Sequence, residues 1–124
     1  MTRDDLCAHC LHMTGAYEDF PFGAEVAVFK VKNKMFAYVP LDDDPPTVTM
    51  KCDPIEATLL RKQFSSVQPG YHMNKKHWNT ITVDGELDDA YIKELIEDAY
   101  ILVRKKLRKS DQTDLLAMEE NLED

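Results

Sequence analysis

The stretch that decides the fold is Val26-Ala27-Val28-Phe29-Lys30-Val31-Lys32-Asn33-Lys34-Met35-Phe36-Ala37-Tyr38-Val39. β-Branched and aromatic residues fill both halves. Lys32-Asn33-Lys34 interrupts them where Asn33 tolerates turn geometry, so Glu25 to Leu41 reads as a β-hairpin. Asp42-Asp43-Asp44-Pro45-Pro46 cannot continue a strand, because the prolines lack a backbone donor and three adjacent acids repel. β-Character resumes from Thr47 to Cys52, which completes a three-stranded meander.

On the N-terminal side, Thr2 and Asp5 form a capping box, and Leu6, Cys10, Met13 and Tyr17 recur at helical spacing. This predicts a helix over about residues 3 to 13, stopped at Gly15, then a structured loop through Glu18-Asp19-Phe20-Pro21-Phe22-Gly23. On the C-terminal side, Asp53-Pro54-Ile55-Glu56 is a helix start, and that helix runs to about Phe64. Val67-Gln68-Pro69-Gly70 reads as a turn into extended Tyr71, His72 and Met73, and a strand follows over His77 to Val83. Asp84-Gly85 breaks it. Asp88 then caps a long helix whose Ile92, Leu95, Ile96, Ala99, Leu102, Val103 and Leu107 form a wide apolar stripe. After Lys109, Ser110-Asp111 can end the helix or cap a short one carrying Leu115, Met118 and Leu122 on one face. The order α-β-β-β-α-β-β-α gives an α+β fold, an antiparallel sheet packed against helices.

The 124 residues, 44% hydrophobic and 31% charged, fit one domain with a self-sufficient core. No apolar run approaches the roughly 18–20 residues that span a bilayer, and no hydrophobic stretch follows the polar start as a secretory signal requires, so a cytoplasmic protein with no membrane partner is expected. Cys7, Cys10 and Cys52 cannot all pair within the chain, and reduced thiols are expected. The net charge of -8 is unevenly spread: residues 110 to 124 hold six acids and no base, leaving 15 bases against 17 acids before them. The expected organisation is a domain over residues 1 to 109 with an acidic extension over 110 to 124.

Pro69-Gly70-Tyr71-His72-Met73-Asn74-Lys75-Lys76-His77-Trp78-Asn79-Thr80, followed by Asp84-Gly85 and a helix bearing Ala99-Tyr100-Ile101-Leu102-Val103, resembles the MmcQ/YjbR-like family. Phe20-Pro21-Phe22-Gly23, Val28-Phe29-Lys30-Val31 and Lys34-Met35-Phe36-Ala37 resemble its N-terminal half, so the likeness covers about residues 1 to 109. It implies a small α+β domain whose paired hairpins have been likened to a double wing. It also implies DNA binding, the label its members commonly carry.

Nucleic-acid binding needs cations for phosphates and amides or aromatics for bases. Lys75, Lys76, Asn74 and Trp78 are the leading candidates, with Lys30, Lys32 and Lys34 in support: the lysines for phosphate, Asn74 for hydrogen bonding, and Trp78 for stacking if exposed. Lys30 and Lys32, two apart on a strand, would share a face that Lys34 could extend. Each has a structural reading as well, since hairpin lysines guard sheet edges and a lone Trp is commonly core. Arg104, Lys105, Lys106, Arg108 and Lys109 at the end of the long helix are further candidates for phosphate contact, and their structural reading is that they meet the negative end of the helix dipole.

Cys7-x-x-Cys10 with His9 and His12 carries ligand types for zinc, but Cys7 and His9 point to different sides of a helix, and no metal site is expected. Cys52, His72, His77, Asp84, Glu86 and Asp88 are conceivable catalytic groups without diagnostic spacing, and the chain lacks P-loop, dinucleotide and hydrolase motifs. A non-enzymatic protein without cofactor, and a monomer, is the expectation. The alternative is a protein-interaction module using the sheet surface or the acidic tail. That tail could also dock on the basic end of the long helix and mask a nucleic-acid surface.

Overall fold

The computed structural model describes residues 1–70 and 73–123. The chain runs through α1 (Arg3–Leu11), β1 (Tyr17–Asp19), β2 (Val26–Val31), β3 (Lys34–Pro40), β4 (Thr47–Lys51), α2 (Pro54–Gln63), β5 (Val67–Pro69), β6 (Trp78–Thr82), α3 (Asp89–Lys105) and α4 (Lys109–Glu123). The six strands form one sheet in the order β1-β2-β3-β4-β6-β5, and every pairing is antiparallel. The α+β class is the one the sequence predicts.

Local chemistry sets most boundaries. Lys32 and Asn33 take φ values of 48° and 67°, the two left-handed residues of a hairpin turn whose twist matches its strands. The Thr2 hydroxyl accepts from the Asp5 amide and the Asp5 carboxylate from the Thr2 amide, so both halves of the capping box form. Asp53 accepts from the Ile55 and Glu56 amides with Pro54 in the first turn, and Asp88 accepts from the Tyr91 amide.

The core lies on the face covered by α1 and α3. Phe29, Ala37 and Met50 stand side by side across β2, β3 and β4. The register shifts after Phe29, so that Phe36 as well as Ala37 is buried. Phe36 meets the Tyr100 ring edge-on, with centroids 5.5 Å apart. From α3, Ile92, Leu95, Ile96, Ala99 and Val103 fill this core, joined by Leu6 and Cys10 of α1.

Four details depart from the sequence reading. The first helix ends at Leu11 with His12 as its cap, short of residue 13. Tyr17–Asp19 is a strand rather than loop, because β2 offers it a free edge against Lys30, Phe29 and Val28. Val67–Pro69 is a strand rather than a turn: as an edge strand, β5 accommodates a proline that has no donor to give. Met73, expected to be extended, sits in a bend with its amide on the Gly70 carbonyl, while Tyr71 and His72 lie outside the described residues.

The acidic segment is a helix folded back on the body. Leu115 is fully buried over Gly15, whose φ of 72° already favours glycine and where an added Cβ would sit 2.6 Å from the leucine methyl. Glu119 accepts two hydrogen bonds from Arg104, at 3.0 and 2.7 Å, and one from the Thr14 hydroxyl at 2.9 Å. The Arg104 guanidinium holds the Glu119 carboxyl below its ordinary value of 4.5. A depressed folded-state carboxyl stabilises above the unfolded value, and that contribution disappears as pH falls through the lowered one. Wild type should therefore be more stable than Glu119→Gln at pH 7, and the gap between their urea midpoints should close as pH drops below 4.5. A pH-independent gap would mean the Arg104 contact is not electrostatic.

Candidate functional site

Antiparallel pairing gathers one group of acids at one end of the sheet and one group of lysines at the other, where Asp53 after β4 and Asp114, paired with Lys32, also stand. At one end β2 begins after Glu25, β3 runs out toward Asp42, Asp43 and Asp44, and β6 runs out toward Asp84 and Glu86. There the Ser66 hydroxyl bonds both Asp84 oxygens at 2.7 and 2.6 Å, and its amide bonds Glu86 at 2.7 Å. These bonds keep both carboxyls below their ordinary values. At the other end are the Lys32-Asn33-Lys34 turn, Lys51 closing β4, and Lys75 and Lys76 just ahead of β6. The end of α3 reaches the same place, since Lys34, Lys51 and Lys106 rim one groove of about 300 Å3. Its floor is Met35, Trp78, Leu102, Val103 and Leu107, and among the described residues no carboxylate lines it.

Trp78 sits opposite Lys51 in the β4–β6 register, and the Lys51 ammonium lies over its ring, 5.2 Å from the centroid. Burial, and secondarily Lys106, hold the Lys51 pKa below its ordinary value. An anion placed between the two lysines would relieve that repulsion.

The lysine turn at Asn74–His77 is pinned from two sides. The Cys52 amide donates to the His77 carbonyl at 2.7 Å, which ties the turn to the end of β4. Arg61 of α2 donates from Nε to the buried Asn79 side chain at 2.7 Å, and its Nη2 donates to the carbonyls of Lys75 and Trp78. Lys75 and Lys76 are left exposed.

The sequence-predicted set divides in three. Lys34, Lys75 and Lys76 are exposed at this end and make no ion pair among the described residues. Lys30 and Lys32 do not form a free stripe: Lys30 is paired with Asp19 at 2.8 Å, and Lys32, in the turn, is paired with Asp114 of α4 at 3.2 Å. Trp78 is 6% exposed, so the exposure that stacking requires is absent and it is a floor residue. The exposed Asn74 uses its side-chain oxygen to accept the Lys76 amide at 2.9 Å, shaping the turn. Lys51 and Arg61 are the residues that sequence reasoning does not select. Lys106 belongs to the basic helix end that the sequence offers for phosphate contact, and Lys51 gains its place through the pairing of β4 with β6.

Several of the other chemical candidates among the described residues are held in structural contacts or buried. Cys52 is 8% exposed and its thiol is pushed up to about 11, first by burial and then by Glu56 and Asp53, so it is protonated at neutral pH. Burial also pushes Cys7 up to about 11 and raises Cys10 further. His9 is 3.2 Å from the Lys93 carbonyl, and His12 is 2.7 Å from the His9 carbonyl. Among the described residues, no three His, Cys, Asp or Glu side chains gather as a metal-binding set.

The family model for YjbR matches residues 11–102, which contain the whole sheet and most of α3. The chain belongs to the YjbR family. The uncharacterised YbdF of Escherichia coli O157:H7 is 39% identical over 93 residues, covering 75% of this chain and 76% of that protein. The uncharacterised YjbR of Escherichia coli K12 is 36% identical over 100 residues, covering 81% and 85%. A crystal structure of a DUF419 protein from Deinococcus radiodurans superposes with a TM-score of 0.86 at 39% identity, covering 92% of this chain and 87% of the other. Lys34, Lys51, Lys75, Lys76 and Trp78 fall inside the YjbR match, whereas Lys106 and all of α4 lie beyond it. Among the described residues, no helix is long and apolar enough to cross a membrane.

Proposed function

We propose that this YjbR-family chain is a non-enzymatic nucleic-acid-binding domain that takes a polyanion on the lysine end of its sheet. One observation carries the reading. In a protein of net charge -8, Lys34, Lys51, Lys75, Lys76 and Lys106 collect at one end of the fold without an ion pair among the described residues. Cations gathered in this way neutralise phosphates and release counterions, whatever the base sequence. The acids at the opposite end orient an approaching polyanion toward the lysines. The three free cysteines suit a reducing, cytoplasmic setting.

The test is fluorescence anisotropy with labelled single- and double-stranded DNA and RNA at about 50 and 200 mM salt. The expected result is micromolar, salt-sensitive binding that weakens about tenfold or more when Lys75 and Lys76 are both changed to Glu. Lys62→Glu, on the exposed side of α2, should leave it unchanged. No binding at tens of micromolar in the lower salt would overturn the reading. A protein-interaction module is the second reading; Leu116 and Leu122, which α4 leaves exposed once Leu115 is buried, are what favour it.

A further inference from the structure

We propose that the groove between β3, β4, β6 and the end of α3 is a nucleotide subsite, which takes one nucleoside phosphate, free or as a single unstacked residue of a strand. This rests on the polyanion reading of the same end and names what that end would hold. Three ammonium groups, with no carboxylate beside them among the described lining residues, call for more than one negative charge on the ligand. The floor of Met35, Leu102 and Leu107 calls for a flat or apolar group beside that charge. A nucleoside phosphate joins the two in one molecule. The volume of about 300 Å3 lies at the lower end of small-molecule sites, and it suits one base but not a duplex. Bases within a duplex are stacked and cannot enter, so a strand would offer the groove only an unpaired residue.

The geometry also supplies the readout. Trp78 is the sole tryptophan of the chain, it lines the groove, and Lys51 lies over its ring. A phosphate that draws Lys51 toward itself would change the surroundings of the indole.

The experiment follows Trp78 emission and anisotropy together while the full chain is titrated with adenosine monophosphate, inorganic phosphate, a single-stranded oligonucleotide, and an abasic strand of equal length. The expected result is an emission change with the monophosphate and the base-bearing strand, and affinity for that strand at least tenfold above the abasic one. Lys106→Ala should weaken both ligands, and far-ultraviolet circular dichroism would show that the variant is folded. Equal affinity for the two strands with unchanged emission overturns the subsite and leaves the polyanion reading standing. A response to the monophosphate with no oligonucleotide binding supports the subsite and overturns the polyanion reading. Inorganic phosphate matching the monophosphate in affinity and emission overturns the base component. Saturation by an acidic, leucine-containing peptide at lower concentration than the monophosphate overturns the assignment in favour of a protein ligand.

Discussion

Leu115→Ala is expected to lower the free energy of unfolding by about 2–5 kcal/mol, the usual cost of emptying a fully buried leucine site. The side chain has no exposed surface and sits against Gly15 and the core cluster. Its neighbour Leu116 is 55% exposed on the same helix, and Leu116→Ala should stay within about 0.5 kcal/mol. The pair is a comparison within one helix, read from urea midpoints at constant slope. Two equally small effects would mean that α4 is not part of the cooperative unit. Removing the whole acidic segment is therefore not a clean probe of electrostatic masking, because it also uncovers the pocket that Leu115 fills. Asp114→Asn, which frees Lys32 alone, is the narrower change.

Arg61→Met should cost about 3 kcal/mol, because it removes charged hydrogen bonds and leaves the buried Asn79 side-chain oxygen without that donor. It should also loosen the turn that carries Lys75 and Lys76, since Arg61 holds the carbonyls of Lys75 and Trp78. Faster amide exchange at Lys76 and His77, with little change at Phe29 or Val39, would register the effect. Arg61→Lys should not rescue it, because one ammonium lacks the guanidinium's fork of donors. Loss of stability without faster exchange in the turn would reduce Arg61 to a core-edge contact.

What could be read from the sequence was local. The Lys32-Asn33 turn, the caps at Thr2, Asp53 and Asp88, and the apolar stripe of α3 are all written within a few residues of where they act. The two edge strands were missed because each is only three residues long and exists through its partner, β1 through β2 and β5 through β6. The candidate site suffers most from this. Lys30 and Lys32 are paired with acids 11 and 82 residues away, distances over which no spacing rule operates. Lys51 and Trp78 meet because β6 lies beside β4, a pairing between segments on either side of α2. The YjbR motif itself was legible and located the fold correctly, while the charges that remain free at its lysine end depended on the tertiary arrangement.

The placing of β6 between β4 and β5 also sets an order of assembly. Strands β1 to β4 follow one another through short connections and can pair as soon as each neighbour is made, with little loop entropy to overcome. β5 is synthesised earlier than β6 yet has no partner until β6 threads in beside it. The sheet therefore cannot be complete before residue 82 has been made. Lys75 and Lys76 lie just ahead of β6, so the chain gathers its positive charge only once that strand is in place.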